Sequence, residues 1–250
     1  KYFNEQGGYR VGDKFLLIRA KPKSKFSQFL RNEILFVPND LSSENINEIT
    51  KQIVDKKVLV LIGYPSVIYE IALMIEENFD LKRHHSVESI ISVSEPIDDV
   101  KRQFIKKSFG CSLIDRYSNE ETGVIAQQKE FDGDYIVDRY NVYTEILDPD
   151  TLLPVAENEV GKVVVTDVCN DLIPMVRYDT GDFARVSENR NGHLFSIDKI
   201  VGRTSEVIYT TDGSPVSSLT LGPCIHKPFS SAEVTCQFQF AQVGKKKYEF

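Results

Sequence analysis

The sequence has 250 residues, enough for one large domain or two smaller ones with a buried core. Hydrophobic residues make up 41% and charged residues 27%, which is typical of an ordinary globular protein. The net charge of −7 argues against a nucleic-acid partner, because such binding requires a basic face that meets phosphates.

The cysteine spacing argues against a zinc-binding or disulfide-rich protein, and the short apolar runs argue against a membrane span. Four cysteines occur, at positions 111, 169, 224 and 236. Because none are in CxxC spacing, we expect free thiols in a reducing, cytoplasmic compartment, without disulfides or bound zinc. The longest apolar run, Val58 to Ile62, is too short for a membrane span. The first residue is not Met and Phe250 ends a strand-like stretch, so we expect a piece of a longer chain.

Helices and strands alternate in the first half of the chain. The predicted order is a helix from Glu44, a strand over Val58–Ile62, a helix over Ser66–Asn78, a strand over Ser89–Val93 and a helix after Pro96. Both strands are continuous apolar runs, typical of strands covered on two faces. This alternation predicts an α/β fold with a mostly parallel sheet and flanking helices.

The pattern changes after residue 120, where short strands and turn signals dominate. The predicted strands are Val142–Leu147, Gly161–Val168, Met175–Tyr178, Phe183–Val186 and His193–Ile197. Asn191-Gly192 is a strong hairpin signal between two of them. We therefore predict an antiparallel β subdomain after the parallel sheet.

Three short motifs contain candidate ligand-binding residues. The first, Asp115 to Gly123, follows an apolar strand, and open α/β sheets bind ligands at the carboxyl ends of their strands. Its Tyr117 could stack on a planar base, and its adjacent carboxylates, Glu120 and Glu121, offer oxygen ligands for magnesium. A solvated polar loop with no ligand is the alternative.

The second and third motifs follow about sixty and eighty residues later. In Arg177 to Asp182, the final carboxylate could accept two hydrogen bonds from a vicinal diol such as ribose. In Gly202 to Glu206, Arg203 could reach a ribose or phosphate oxygen. Taken alone, each motif also fits an ordinary turn with exposed polar residues.

In this order and spacing, the motifs resemble those of the adenylate-forming superfamily, which read Tyr-Gly-x-Thr/Ser-Glu, Tyr-x-Thr-Gly-Asp and Gly-Arg-x-x-Asp. Three further stretches are similar to the phenylacetate–CoA ligase-like branch that includes capsular-polysaccharide biosynthesis proteins. They are Gly63-Tyr64-Pro65-Ser66, Ser94-Glu95-Pro96 and Phe109-Gly110-Cys111.

The resemblance implies a role for each matching residue. Tyr117 would flank the adenine, with Ser94, Glu95 and Pro96 in the adenine-side loop. Asp182 would hold the ribose hydroxyls, Arg203 would contact the ribose, and Glu121 would bind magnesium. Tyr64 and Pro65 would line the acyl pocket, although a Pro-started core helix explains them equally well. Tyr117, Glu121 and Asp182 would then line one cleft.

The resemblance also implies a division into domains. Residues 1–200 would be the C-terminal part of the large domain, with parallel α/β structure over 44–118 and antiparallel structure over 120–200. Residues 201–250 would begin a small α+β lid domain. The family's Ser/Thr/Gly-rich phosphate loop and its C-terminal lysine are not found in the sequence, so we expect the 250 residues alone to be inactive.

The implied activity is ATP-dependent activation of a carboxylic acid, followed by acyl transfer to CoA or an amine, with ATP/AMP and Mg²⁺ as cofactors. Two departures from the motifs favour a rival, a non-catalytic protein that binds a nucleotide or a partner. Glu120 replaces the usual Thr or Ser, and Ser205 replaces the first acidic position of the third motif. Ser118 also replaces a glycine.

Overall fold

The structure of the protein, a computed structural model, describes residues 2–38, 41–130, 132–203, 207–209, 215–217, 241–244 and 247–249. Contacts between residues group the chain into two compact units, Lys1–Val142 and Tyr143–Phe250. The predicted domain boundary near residue 200 stays a prediction.

The first unit alternates helices and strands along most of its length. Its elements in chain order are α1 (Tyr2–Gln6), β1 (Phe15–Ile18), α2 (Lys25–Leu30), β2 (Glu33–Phe36), α3 (Ser43–Asp55), β3 (Val60–Gly63), α4 (Pro65–Glu77), α5 (Phe79–His84), β4 (Ser89–Val93), α6 (Asp99–Phe109), β5 (Ser112–Asn119), β6 (Gly123–Gln128) and β7 (Tyr135–Val137). The strand order is β2-β1-β3-β4-β5-β6-β7. Strands β1 to β5 pair in parallel, and β6 and β7 continue the sheet in antiparallel pairing.

Alternating side chains of the central strands enter two different cores. Leu61 and Ile90 belong to the larger core, which packs against α3, α4 and α6. Ile62 and Ile91 face the other side of the sheet and form a smaller core. The chain around Gly7 lies so close to that face that an added Cβ would stand 2.5 Å from the Ile91 side chain. Both faces of the parallel strands are therefore covered, as their continuous apolar sequences predict.

Local signals set the ends of the helices beside the central strands. Helix α4 has Pro65 at its start, where the missing backbone N–H is no loss. In α6, the Asp98 side chain accepts a hydrogen bond from the Lys101 N–H at the N-terminus. The same helix ends at Gly110, whose φ of 62° is the left-handed conformation that glycine favours at helix ends.

The second unit is built from antiparallel strands. Its elements are β8 (Val142–Leu147, which starts at the unit boundary), β9 (Val160–Asp167), β10 (Tyr178–Arg190), β11 (His193–Arg203), β12 (Val207–Tyr209), β13 (Pro215–Ser217), β14 (Ala241–Gly244) and β15 (Lys247–Glu249). The first four lie in the order β11-β10-β9-β8, and β12–β13 and β14–β15 form two small pairs. Asn191 and Gly192 join β10 to β11 with φ of 53° and 76°, so the predicted hairpin turn is present.

These observations confirm the predicted α/β class, with a mostly parallel sheet, flanking helices and antiparallel strands. Most of the predicted lid, including Cys224 and Cys236, lies outside the described residues. In the described part of the chain, Cys111 and Cys169 form no disulfide, and the prediction for all four cysteines stays a prediction. Within the same residues, no helix combines the length and the apolar character needed to cross a membrane.

Candidate functional site

The carboxyl ends of three parallel strands meet at one edge of the first unit. Strand β3 ends at Gly63, which pairs in register with Ser92 of β4. Strand β4 ends at Val93, which pairs with Arg116 of β5. The segment that follows β4 therefore starts beside Tyr117, and the segment that follows β3 starts one strand further away. Open α/β sheets bind ligands at this edge.

The predicted adenine-side loop, Ser94 to Pro96, leaves this edge in a strained conformation. Ser94 has a φ of 68°, in the left-handed region that costs a non-glycine residue about 1–2 kcal/mol. The Glu95 carboxylate accepts a hydrogen bond from the Ser66 backbone N–H, at 3.2 Å. A carboxylate is favourable there because the first N–H groups of a helix lack partners within the helix. The Glu95 side chain thus anchors the loop to the start of α4.

Tyr64 and Pro65 contact the protein itself. The Tyr64 hydroxyl accepts a hydrogen bond from the Ala20 backbone N–H at 3.0 Å, and the ring packs against the larger core. Pro65 is buried in the first turn of α4. These contacts agree with a Pro-started core helix, the second of the two interpretations that the sequence allows.

Tyr117 lies within a strand rather than in a loop. Strand β5 continues to Asn119, and the residue opposite Tyr117 on β6 is Ala126. Since β4 ends at Val93, the last part of β5 extends beyond its parallel neighbour and is paired only with β6. The half-buried Tyr117 therefore lies on an extension of the sheet at the carboxyl edge of the parallel strands.

The two candidate carboxylates lie at the tip of the β5–β6 hairpin. The turn comprises Glu120 to Thr122, between the paired residues Asn119 and Gly123. The Asn119 side-chain oxygen accepts hydrogen bonds from the backbone N–H and the hydroxyl of Thr122, at 2.7 and 2.8 Å. Gly123 has a φ of 80°, the left-handed conformation that completes three-residue hairpin loops. Glu121 is exposed at this tip.

Glu120 has a partner from a distant part of the chain. The Lys21 ammonium lies 2.5 Å from Glu120 Oε2, and both side chains are largely exposed, 64% and 74%. The hydrogen bond from Lys21 and the charges of Lys21 and Arg19 hold the pKa of Glu120 below its usual value. Arg19 and Lys21 both follow β1, so two cations lie close enough to influence Glu120, and one of them, Lys21, forms the ion pair.

A buried polar network lies beneath this edge, and the sequence did not predict it. Asp115 accepts hydrogen bonds from the Ser92 and Tyr135 hydroxyls, both at 2.5 Å. Arg102 of α6 lies 3.9 Å from the same carboxylate, with only 6% of its side chain exposed. The Gln128 side-chain oxygen accepts from both Arg102 Nη1 and the Asp115 backbone N–H. Burial, followed by the charge of Asp115, raises the pKa of Tyr135.

In the second unit, Asp182 lies at an irregularity of strand β10. The pairing of β10 with β9 shifts register between Asp179 and Phe183, and Gly181 has a φ of 77°. The Thr180 hydroxyl donates to the Val163 carbonyl and accepts from the Asp182 N–H, which fixes the bulged backbone. Bulges of this kind are frequent next to functional sites because they redirect side chains.

Arg203 pairs in register with Asp182, so the structure places Asp182 of the second motif opposite Arg203 of the third on adjacent strands. The remaining residues of the third motif, 204–206, lie outside the described residues. Across the described ranges, no cluster of three or more His, Cys, Asp or Glu side chains could hold a metal ion. Glu121 is the predicted magnesium ligand, and its exposed position stays compatible with an ion bound mainly through phosphates and water.

Sequence comparisons connect these motifs with known proteins. Protein CapK of Staphylococcus aureus is 24% identical over 238 residues, which cover 90% of this chain and 51% of CapK. Phenylacetate-coenzyme A ligase of Pseudomonas putida is 29% identical over 118 residues, which cover 46% of this chain and 27% of the ligase. No protein-family model matches the chain.

Solved structures share the fold. A 2-hydroxyisobutyryl-CoA ligase in complex with 2-HIB-AMP and CoA matches 90% of this chain with a TM-score of 0.69, at 18% identity and over 52% of its own length. ATP-bound MatB from Rhodopseudomonas palustris matches 86% of this chain with a TM-score of 0.59, at 18% identity and over 44% of its length. The chain is therefore similar in sequence to CapK and to phenylacetate-coenzyme A ligase, and it shares the fold of the 2-hydroxyisobutyryl-CoA ligase and MatB. It spans about half the length of CapK, the curated relative that it matches over most of its own sequence.

The structure gives a physical reason for one departure from the motifs of the adenylate-forming enzymes. Ser118 stands where their motif has glycine, at a register shift between β5 and β6. Ser118 does not have a positive φ, so its backbone conformation does not require glycine. The replacement therefore leaves the local fold intact.

The replacement at Glu120 changes the charge of the side chain rather than the conformation of the backbone. The adenylate-forming motif has Thr or Ser at this position, whereas Glu120 adds a negative charge at the exposed tip of the hairpin. The ion pair with Lys21 partly balances that charge. The net effect on a nearby phosphate depends on both side chains together.

Proposed function

We propose that the full-length protein activates a carboxylic acid with ATP and transfers the acyl group to a thiol such as that of CoA, or to an amine. The observation that carries this proposal is the register between β4 and β5. It brings the Ser94–Pro96 loop beside Tyr117 at the carboxyl edge of the sheet, in a homologue of CoA ligases.

The proposed nucleotide contacts follow from the motifs. Tyr117 flanks the adenine, together with the backbone of the Ser94–Pro96 loop. The Glu95 side chain then acts indirectly, since its carboxylate is bound to the start of α4. Asp182 accepts hydrogen bonds from the ribose hydroxyls, a charge-assisted contact that water imitates poorly. Arg203, opposite it in register, contacts the ribose.

The proposed magnesium ligand is Glu121. Mg²⁺ prefers oxygen ligands and usually keeps several waters while it bridges substrate phosphates. One exposed carboxylate at a fixed hairpin tip fits such a site, because the ion needs only one or two protein ligands there. Bound Mg²⁺ would neutralise phosphate charge as pyrophosphate leaves.

The proposed chemistry has two steps. A carboxylate oxygen of the acid attacks the α-phosphorus of ATP, and pyrophosphate leaves. The acceptor then attacks the acyl carbon of the mixed anhydride, and AMP leaves. Since a carboxylate is a poor electrophile, the protein contributes mainly by positioning both reactants and by stabilising the charge at the phosphate.

The likeness to CapK supports a place for this reaction in capsular polysaccharide biosynthesis. The dependence on ATP and CoA supports the predicted cytoplasmic location.

Mass spectrometry of reaction mixtures tests the proposal. The full-length protein is incubated with ATP, Mg²⁺ and a panel of carboxylic acids, with and without CoA. We expect an acyl-AMP without CoA and an acyl-CoA with it, and much less of either product from an Asp182→Ala variant of the same fold. Absence of every acyl-AMP across the panel would contradict the proposal.

A second function deserves the same assay because of Glu120. A carboxylate at the position that has Thr or Ser in the family repels a phosphate, which favours a non-catalytic protein that binds a nucleotide or a partner protein. In that case AMP binds, Asp182→Ala weakens the binding, and no acid yields an adenylate.

A further inference from the structure

Arg116 is a partly buried cation at the candidate site. It lies on β5 directly before Tyr117 and opposite Val93, the last residue of β4. Its Nε donates to the Gln127 side-chain oxygen at 2.7 Å, and its Nη2 donates to the Asn4 side-chain oxygen at 2.8 Å. Burial lowers the pKa of Arg116 to about 10, so the guanidinium stays charged at neutral pH.

Both of these partners are neutral amides. Among the described residues, no carboxylate forms an ion pair with Arg116, whereas Arg102 on the opposite face pairs with Asp115 and Asp132. A charge that is partly withdrawn from water costs free energy unless an opposite charge or strong hydrogen bonds compensate for it. The two hydrogen bonds to amides use two of the five N–H groups of the guanidinium. The site therefore contains a positive charge and donors that the protein balances only in part.

A purely structural role for Arg116 explains its hydrogen bonds, but it does not explain why a charged side chain makes them. The Arg116–Asn4 bond and the bond from Gln127 Nε2 to the Phe3 carbonyl attach α1 to the sheet. Neutral side chains could make such an attachment without the desolvation of a guanidinium. The fork of an arginine is better suited to a carboxylate or phosphate, which it binds through two parallel hydrogen bonds.

We propose that Arg116 binds a second anionic group on the acid substrate, which makes the substrate a dicarboxylate or a phosphorylated acid. This inference rests on the proposed function, because it assumes that the acid binds at the edge that contains Tyr117. The carboxylate to be activated must stay free to attack ATP, so the group bound by Arg116 is a different one. Arg116 then selects among acids and takes no part in bond making.

Equilibrium binding separates this inference from the proposed function, because binding needs no turnover. Calorimetry on the full-length protein compares dicarboxylates of three to six carbons with monocarboxylates of equal length, and 3-phosphoglycerate with glycerate. We expect the wild type to bind at least one acid that has the second anionic group about tenfold or more tightly than its counterpart without that group. Equal affinity within every pair overturns the inference, whatever acid yields an adenylate.

Variants then assign the preference to Arg116. Arg116→Gln should abolish it and leave the affinity for monocarboxylates unchanged, whereas Arg116→Lys should retain part of it. The exposed Arg31→Gln is the matched control and should behave like the wild type. Circular dichroism verifies the fold of each variant. A preference that survives Arg116→Gln, or an equal loss for all acids in both Arg116 variants, overturns the inference in favour of a structural role.

Discussion

Replacement of Asp115 by Asn tests whether the buried network supports the candidate site. The Asp115 side chain is 13% exposed, accepts two hydroxyl hydrogen bonds and lies 3.9 Å from the nearly buried Arg102. Asn keeps the size of the side chain and one oxygen acceptor, but it removes the negative charge. The Tyr135 hydroxyl then loses a charge-assisted bond, and Arg102 loses one of its two carboxylate neighbours.

The expected loss of stability follows from the weakened Tyr135 hydrogen bond and the lost Arg102–Asp115 ion pair. A hydrogen bond to a charged group contributes roughly 1.5–3 kcal/mol, and breaking a buried ion pair costs about 3–5 kcal/mol. Arg102 keeps Asp132 at 3.5 Å and Gln128 at 2.9 Å, which favours the lower part of that range. We expect Asp115→Asn to lower the free energy of unfolding by about 2–4 kcal/mol. For a protein of this size, the melting temperature should fall by roughly 5–15 °C.

Thermal and urea unfolding followed by far-UV circular dichroism measure this change. Asp198→Asn is the matched control, because Asp198 pairs with Arg185 on the surface of the second unit, where the side chains are 28% and 44% exposed. Surface pairs contribute about 1 kcal/mol or less. If the two variants lose the same stability, the network does not provide the support that we infer.

Three further predictions concern the motifs and the thiols. Asp182→Ala should weaken AMP binding to the full-length protein by roughly 1.5–3 kcal/mol in calorimetry. Asp179→Ala on the same strand serves as the control. An unchanged affinity of Asp182→Ala for AMP rules out the ribose role. Glu120→Thr should strengthen ATP binding in calorimetry, because it removes a negative charge from the exposed tip of the β5–β6 hairpin. A loss of ATP affinity contradicts the repulsion. Thiol titration of the unfolded, unreduced 250-residue chain should find four reactive groups, and two or fewer would disprove the prediction of free cysteines.

The sequence predicted those elements whose local signals agree with their tertiary environment. Strand β4 was predicted with its observed bounds, Ser89–Val93, because an apolar run between polar segments matches a strand covered on both faces. The Asn191-Gly192 turn was also predicted, since few other dipeptides adopt two left-handed conformations in succession. The similarity in motifs, together with these elements, was sufficient to predict the fold class.

Other elements depend on contacts that a linear pattern does not show. Strand β1, Phe15–Ile18, is only four residues long, and its burial comes from pairing with β2 and β3. Strand β10 was predicted as two strands because Thr180 to Asp182 has the sequence of a turn. In the structure these residues form a bulge inside a single strand.

The candidate site likewise contains some residues that the sequence identifies and some contacts that only the structure shows. The motif residues Tyr117, Glu121 and Asp182 could be named from sequence, and their roles stay predictions. The Asp115 network and the Lys21–Glu120 pair could not, because their members are 23 and 99 residues apart in the chain. Arg116 was visible in the sequence as part of a motif, but only its partial burial against neutral partners indicates a function.

Exchange of labelled pyrophosphate into ATP tests the central claim most directly. The assay uses the full-length protein with Mg²⁺ and a panel of carboxylic acids, and it detects the reversible formation of an acyl-adenylate without any acyl acceptor. We predict exchange that depends on Mg²⁺ and on a particular acid, and that Asp182→Ala strongly reduces. Absence of exchange with every acid, in a protein that still binds AMP through Asp182, would contradict the catalytic account and support a nucleotide-binding protein without ligase activity.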